Sequence, residues 1–167
     1  QLGLLPCQLV GFSFGGMTAG MLAAAHPDAA ERLVIVGAPA MGVVPEKQFS
    51  LKGWRHLPDA AQQRDVHRNL GALMLWDTAK IDDEALALHQ QNVQRDRLPR
   101  RRLSNTDILA QSLPRIPVPV AAIYGAHDAL YKAYMEGLAQ QYRAVTPQLV
   151  DFILVPDSGH WVQYEQP

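Results

Sequence analysis

The stretch Cys7-Gln8-Leu9-Val10-Gly11-Phe12-Ser13-Phe14-Gly15-Gly16 decides how this chain is read. Cys7 to Val10 is a short apolar run that stops at Gly11, the mark of a buried strand. From Gly15 to Ala25 the residues are mostly Ala, Met, Leu and Gly, and His26-Pro27 ends them, which predicts a helix. Gly11, Ser13 and Gly15 therefore place a G-x-S-x-G spacing at a strand-to-helix junction. A chain that turns so sharply holds its serine in a strained conformation, and flanking side chains would clash with strand and helix. The turn lifts the Ser13 hydroxyl above the sheet and aims the amide of Phe14, with the positive end of the helix, at the same spot. A glycine-rich phosphate loop is the alternative for such a turn, but the Lys-Ser/Thr ending of that loop is absent.

Outward from this turn, Arg32 to Val36 is a second β-branched strand, closed by Gly37-Ala38-Pro39. Strand, helix and strand make a parallel crossover unit, whose continuous apolar strands expect helices on both faces. Between Ala40 and Pro114 the character changes. Val66 to Trp76 and Asp83 to Asn92 read as helices, and no strand signal appears. Val118 to Tyr124 then reads as a third strand, Leu130 to Ala144 as a helix, and Phe152 to Val155 as a fourth strand. Residues 1–39 and 115–167 thus form an α/β core, and 40–114 is a helical insert within it.

The α/β pattern from Gly11 to Gly16, with its strand and helix, resembles the nucleophile elbow of the α/β-hydrolase superfamily, and the resemblance covers most of the chain outside the variable middle. It implies a mostly parallel sheet with helices on both faces, a lid formed by 40–114, and further strands preceding Gln1. It also implies the order serine, acid, histidine. Asp128 follows the penultimate strand in Gly125-Ala126-His127-Asp128, similar to the family's Gly-x-x-Asp. The loop Gly37-Ala38-Pro39, where some members carry the acid, has no carboxylate. His160 follows the last strand in Pro156-Asp157-Ser158-Gly159-His160-Trp161. Ser13, Asp128 and His160 are the expected catalytic triad, with an imidazole whose pKa should sit near neutrality. Asp151 and Asp157 are rivals for the acid by proximity, Asp157 more as a shaper of the histidine loop, and His127 is the fallback base. The backbone amide of Phe14 is the expected oxyanion donor, and the second donor is expected from a loop upstream of Gln1.

Leu70, Leu73, Met74, Leu75 and Trp76 either line an apolar acyl pocket or pack the lid on the core; Leu70, Met74 and Trp161 are the named candidates for touching substrate. Arg95, Arg97, Arg100, Arg101 and Arg102 read as a solvated basic face, with a substrate carboxylate as the other reading. The leading reaction is hydrolysis of an ester or related acyl bond in a small, apolar substrate through an acyl-enzyme. The alternatives are carbon–carbon bond hydrolysis of ring-cleavage products, which Gly159-His160-Trp161 with Tyr164-Glu165 resembles, and a hydrolase-like binding module without chemistry.

The bulk composition excludes other classes. With a net charge of −1 and 19% charged residues, there is no bulk reason to expect nucleic acid as a partner. No apolar run approaches the ~20 residues of a membrane span. The lone Cys7 permits no intrachain disulfide and reads as a small buried residue. The histidines are scattered without metal-ligand spacing, so no metal or cofactor is expected. The oligomeric state stays open, and the cytoplasm is the expected location. Lacking an initiator Met, the sequence reads as the later part of a longer protein, and residues 1–167 alone are expected to be a poor catalyst.

Overall fold

The computed structural model describes residues 6–45, 48–98 and 102–167. Strand β1 (Cys7–Phe12) leads through Ser13 into helix α1 (Phe14–Ala25), and strand β2 (Ala30–Val36) follows. Helices α2 (Asp59–Asn69), α3 (Asp83–Arg95) and α4 (Ile108–Ser112) come next, then strand β3 (Val120–Gly125), helix α5 (Met135–Val145), strand β4 (Leu149–Val155) and the short helix α6 (Val162–Glu165). The four strands pair in the order β1-β2-β3-β4, all parallel. Parallel strands need long crossovers, which α1, the insert and α5 supply.

The register explains where the core sits. Leu33 lies beside Leu9 and Val120, and Ile35 beside Gly11 and Ala122, so these side chains share one face of the sheet. That face is sealed by Met17 and Ala23 of α1, Leu109 and Ala110 of α4, and Leu138 and Tyr142 of α5. Leu33, Ile35, Val120, Ala122 and Tyr124 are all 0% exposed there. On the other face Val10 is 71% and Ile153 39% exposed.

Several elements differ from the sequence reading. The helix expected at Leu130 starts at Met135, because Asp128 organises its own turn first: its carbonyl accepts from the amides of Tyr131 and Lys132, and Lys132 takes a positive φ of 41°. The helix expected over Val66–Trp76 begins at Asp59 and ends in one π turn, Leu70–Met74, where the Leu75 amide bonds the Leu70 carbonyl. Helix α4 was not expected at all, since five residues are too few to show a 3.6-residue period.

Residues 40–114 pack in two places. Ala40, Met41, Leu109, Ala110 and Leu113 belong to the main core. A separate apolar cluster of Trp54, Val66, Leu70, Leu75 and Ala85 holds α2 and α3 together. The ends of the insert are therefore part of the α/β layer, and only its middle has a core of its own.

Candidate active site

Ser13 sits at φ 52°, ψ −124°, a conformation that side-chain-bearing residues rarely adopt. The fold holds it there from both sides. Its amide donates to the Val36 carbonyl at 2.8 Å, and its carbonyl accepts from Gly16 at 2.9 Å and Met17 at 3.2 Å. The glycines permit the close approach. A Cβ on Gly11 would lie 2.5 Å from the Gly15 carbonyl oxygen, and one on Gly16 would lie 2.8 Å from the Gly11 oxygen. These are contacts that no side chain tolerates without moving backbone.

Asp128 and His160 arrive from loops at the same end of the sheet, after β3 and β4. Asp128 is fully buried, and its two oxygens have different tasks. Oδ1 accepts the Leu130 amide at 2.9 Å, and Oδ2 meets His160 Nδ1 at 2.9 Å. On the far side of the ring, His160 Nε2 lies 2.8 Å from Ser13 Oγ. An ionised carboxylate only accepts, so Nδ1 carries the proton and Nε2 is left as acceptor for the serine hydroxyl. His160 is only 2% exposed, and the Phe12 ring packs 5.0 Å from it between centroids. The arrangement is a continuous hydrogen-bonded relay from carboxylate to imidazole to hydroxyl.

The rivals lie elsewhere. Asp151 is exposed on β4, and Asp157 is exposed at a positive φ of 50°, its carbonyl accepting from Gln166. His127 stacks on Trp76, ring centroids 4.0 Å apart and planes 8° from parallel. Phe14 opens α1, so its amide belongs to the positive end of that helix.

Ser13, Phe14 and His160 lie on the wall of a cavity of about 450 Å³. Met41, Val43, Val44, Phe49, Leu73 and Leu130 supply apolar wall, and Gln48, Ser104, Asn105, Thr106 and Tyr131 supply polar groups. All the described lining residues other than His160 are without a formal charge. The Tyr131 hydroxyl donates to the Ala38 carbonyl at 2.6 Å, and burial, first among several causes, pushes its pKa well up, so it stays a donor. Among the described residues, no three His, Cys, Asp or Glu side chains gather to hold a metal ion, and no helix is long and apolar enough to cross a membrane.

The expected substrate contacts sit apart from this cavity. Leu70 is 0% exposed inside the insert's own apolar cluster, with Met74 and Trp161 packed against that cluster, and none of the three lines the cavity. For the insert residues the reason is the π turn, which carries more residues per turn than an α-helix, so Leu73 faces the cavity while Leu70, Met74 and Leu75 pack into the cluster. Trp76 is 48% exposed on His127, away from Ser13. Of the basic run, Arg95 and Arg97 are exposed and Arg102 is exposed too; Arg100 and Arg101 lie outside the described residues. The segments Pro39–Val44 and 104–106 are not foreseen as cavity wall, because a loop and a four-residue 3₁₀ turn are too short to show a periodicity.

Comparisons with known proteins set the fold in context. Over 182 aligned positions the chain is 30% identical to sn-1-specific diacylglycerol lipase ABHD11 of Mus musculus, covering 100% of this chain and 57% of the lipase. The chain thus spans little more than half the length of that relative. The solved structure of the meta-cleavage product hydrolase CumD of Pseudomonas fluorescens matches with a TM-score of 0.67 at 19% identity, over 95% of this chain and 59% of that one. A bacterial membrane phospholipase A matches with a TM-score of 0.66 at 21% identity, over 99% of this chain and 54% of that one. Identities this low speak for the fold alone. The profile of the alpha/beta hydrolase family matches residues 2–167, and with the parallel sheet and its helices the chain belongs to that family.

Proposed function

We propose that Ser13, His160 and Asp128 are the nucleophile, base and acid of a serine hydrolase acting on an ester or related acyl bond. The observation that carries this reading is the relay of 2.8 Å and 2.9 Å opening on the cavity wall. Ser13 Oγ attacks the substrate carbonyl while His160 Nε2 takes its proton. The tetrahedral intermediate collapses when that proton passes to the leaving alcohol, giving an acyl-enzyme. A water then attacks the acyl carbon, again losing its proton to His160, and the acid departs as Ser13 recovers its hydrogen. Asp128 keeps the ring in the required tautomer and stabilises the imidazolium. The Phe14 amide, at the positive end of α1, is one donor for the oxyanion.

The apolar wall from Met41 to Leu130 suits an uncharged acyl chain, and the described lining offers a substrate carboxylate no cationic partner. This favours esters over the carboxylate-bearing ring-cleavage products. The diacylglycerol lipase relative points in the same direction. The test uses the intact natural protein. A fluorophosphonate should label Ser13 and nothing else, and Ser13→Ala should abolish both labelling and turnover of p-nitrophenyl esters and diacylglycerols. Turnover of a dienoate ring-cleavage product in preference to every ester would overturn the substrate assignment, and an unlabelled, inactive protein would support a binding module instead.

A further inference from the structure

Glu165 is the last residue of α6, is 0% exposed, and has no part in the relay. A buried carboxylate is costly unless its lone pairs are filled. Here they are filled by backbone amides from two separate segments. Oε2 accepts the amide of Gly159 at 2.5 Å, while Oε1 accepts those of Trp76 and Asp77, each at 2.9 Å. Gly159 immediately precedes His160. Trp76 and Asp77 belong to the strap that leaves the π turn of the insert.

The same two segments meet again on the other side of His160, where the Trp161 amide donates to the Met74 carbonyl at 2.7 Å. The residues flanking His160 are therefore both tied into the 74–77 strap, one directly and one through Glu165. Packing leaves no slack: a Cβ on Gly159 would lie 2.8 Å from the Trp76 amide nitrogen, and one on Gly125 would lie 2.0 Å from the Gly159 oxygen. The Gly125 loop is also the one that carries Asp128.

We infer that Glu165 is a positioning residue, whose carboxylate sets the height and tilt of the His160 imidazole by clamping the histidine loop to the lid strap. This rests on the serine-hydrolase reading above. The charge matters as well as the shape. A carboxylate accepts at every lone pair, whereas an amide in its place must turn N–H groups toward at least one of the three backbone donors. The histidine loop would then shift away and loosen the serine's hydrogen bond to the imidazole, and a misplacement of about 1 Å costs on the order of 10²-fold in rate.

The experiment compares Glu165→Gln with the wild type in the intact natural protein. Active sites are counted by fluorophosphonate titration, kcat and KM are measured on a p-nitrophenyl ester, and thermal unfolding is followed in parallel. Tyr164→Phe is the control, since it removes a different bond from the same segment to the insert, Tyr164 Oη to Asp82 Oδ1 at 2.7 Å. Glu165→Gln is expected to lower kcat per titrated site about ten- to a hundredfold with KM changed by less than about twofold, and Tyr164→Phe to leave kcat in place. A wild-type kcat per site in Glu165→Gln overturns the inference, as does an equal loss in Tyr164→Phe, which would mean general loosening of the insert. If Glu165→Gln does not fold, Asp77→Pro carries the test: Asp77 already has φ −82°, and proline removes one amide from the carboxylate. A several-fold loss of kcat supports the clamp, and no loss overturns it. A wild type that neither labels nor turns over ester fails the serine-hydrolase reading itself, a result distinct from any of these.

Discussion

Replacing Asp128 by asparagine tests the relay more sharply than removing the serine, because the structure dictates which way the amide must face. Asp128 Oδ1 receives the Leu130 amide at 2.9 Å. If the new NH₂ group pointed there, two donors would confront each other in a site that is 0% exposed, at a cost of about 1–3 kcal/mol. The oxygen therefore stays on Leu130, and the NH₂ faces His160 Nδ1. That nitrogen must now present a lone pair, so the ring proton moves to Nε2, 2.8 Å from Ser13 Oγ. The imidazole then donates to the serine and can no longer take its proton. Serine-protease precedent for a wrong tautomer of this kind is a loss of about 10⁴ in kcat, equivalent to about 5.4 kcal/mol. Volume and both contacts are kept, so the fold should be nearly unchanged. The assay is p-nitrophenyl ester turnover per titratable serine, with thermal unfolding alongside. An Asp128→Asn protein that melts like the wild type yet keeps more than about a tenth of its kcat would refute the tautomer argument, since a 10⁴ loss is what it requires.

Other expectations follow from particular residues. Ser13→Ala should lower kcat by about 10⁴ or more, and Ser13→Gly, equally inactive, should melt higher than Ser13→Ala, because only glycine is at ease at φ 52°, ψ −124°; a lower melting temperature for the glycine variant would deny the strain. Leu73→Ala enlarges the cavity and should shift preference toward longer or bulkier acyl chains, while Leu70→Ala should cost about 2–5 kcal/mol of stability and leave chain preference alone; a Leu70 variant that shifts chain preference would contradict the division between pocket and lid core. The Tyr164 hydroxyl, held chiefly by its hydrogen bond to Asp82, has its pKa raised from 10.0 to about 12. A raised folded-state value favours folding below pH 10 and loses that contribution as pH climbs toward 12. Spectrophotometric titration should find this phenol ionising late, and Tyr164→Phe should remove that part of the alkaline loss.

The amino-acid sequence alone determined the local chemistry. Gly11-Phe12-Ser13-Phe14-Gly15-Gly16 had to be a sharp strand-to-helix turn, because so many small residues between an apolar run and an alanine-rich run leave few other conformations. The four strands were legible because buried parallel strands are continuous apolar runs, and the resemblance to the family then picked out Asp128 and His160 by their order after the last two strands. What lies between was not legible. Leu70 and Leu73 sit in one apolar run, and nothing in that run tells which of them reaches the cavity; a single π turn decided it. The wall made by Pro39–Val44 and by 104–106 comes from a loop and a short 3₁₀ turn, and the loop's course is fixed by distant partners such as Leu109, which bonds the Ala40 carbonyl. In the sequence Glu165 enters only through the Tyr164-Glu165 pair that follows the histidine loop. Only tertiary structure showed it buried against amides 6 and 89 residues away along the chain. Short-range sterics and burial period leave their mark on neighbouring letters, whereas pockets and buried polar bridges are made by groups far apart in the chain, and only the assembled fold brings them together.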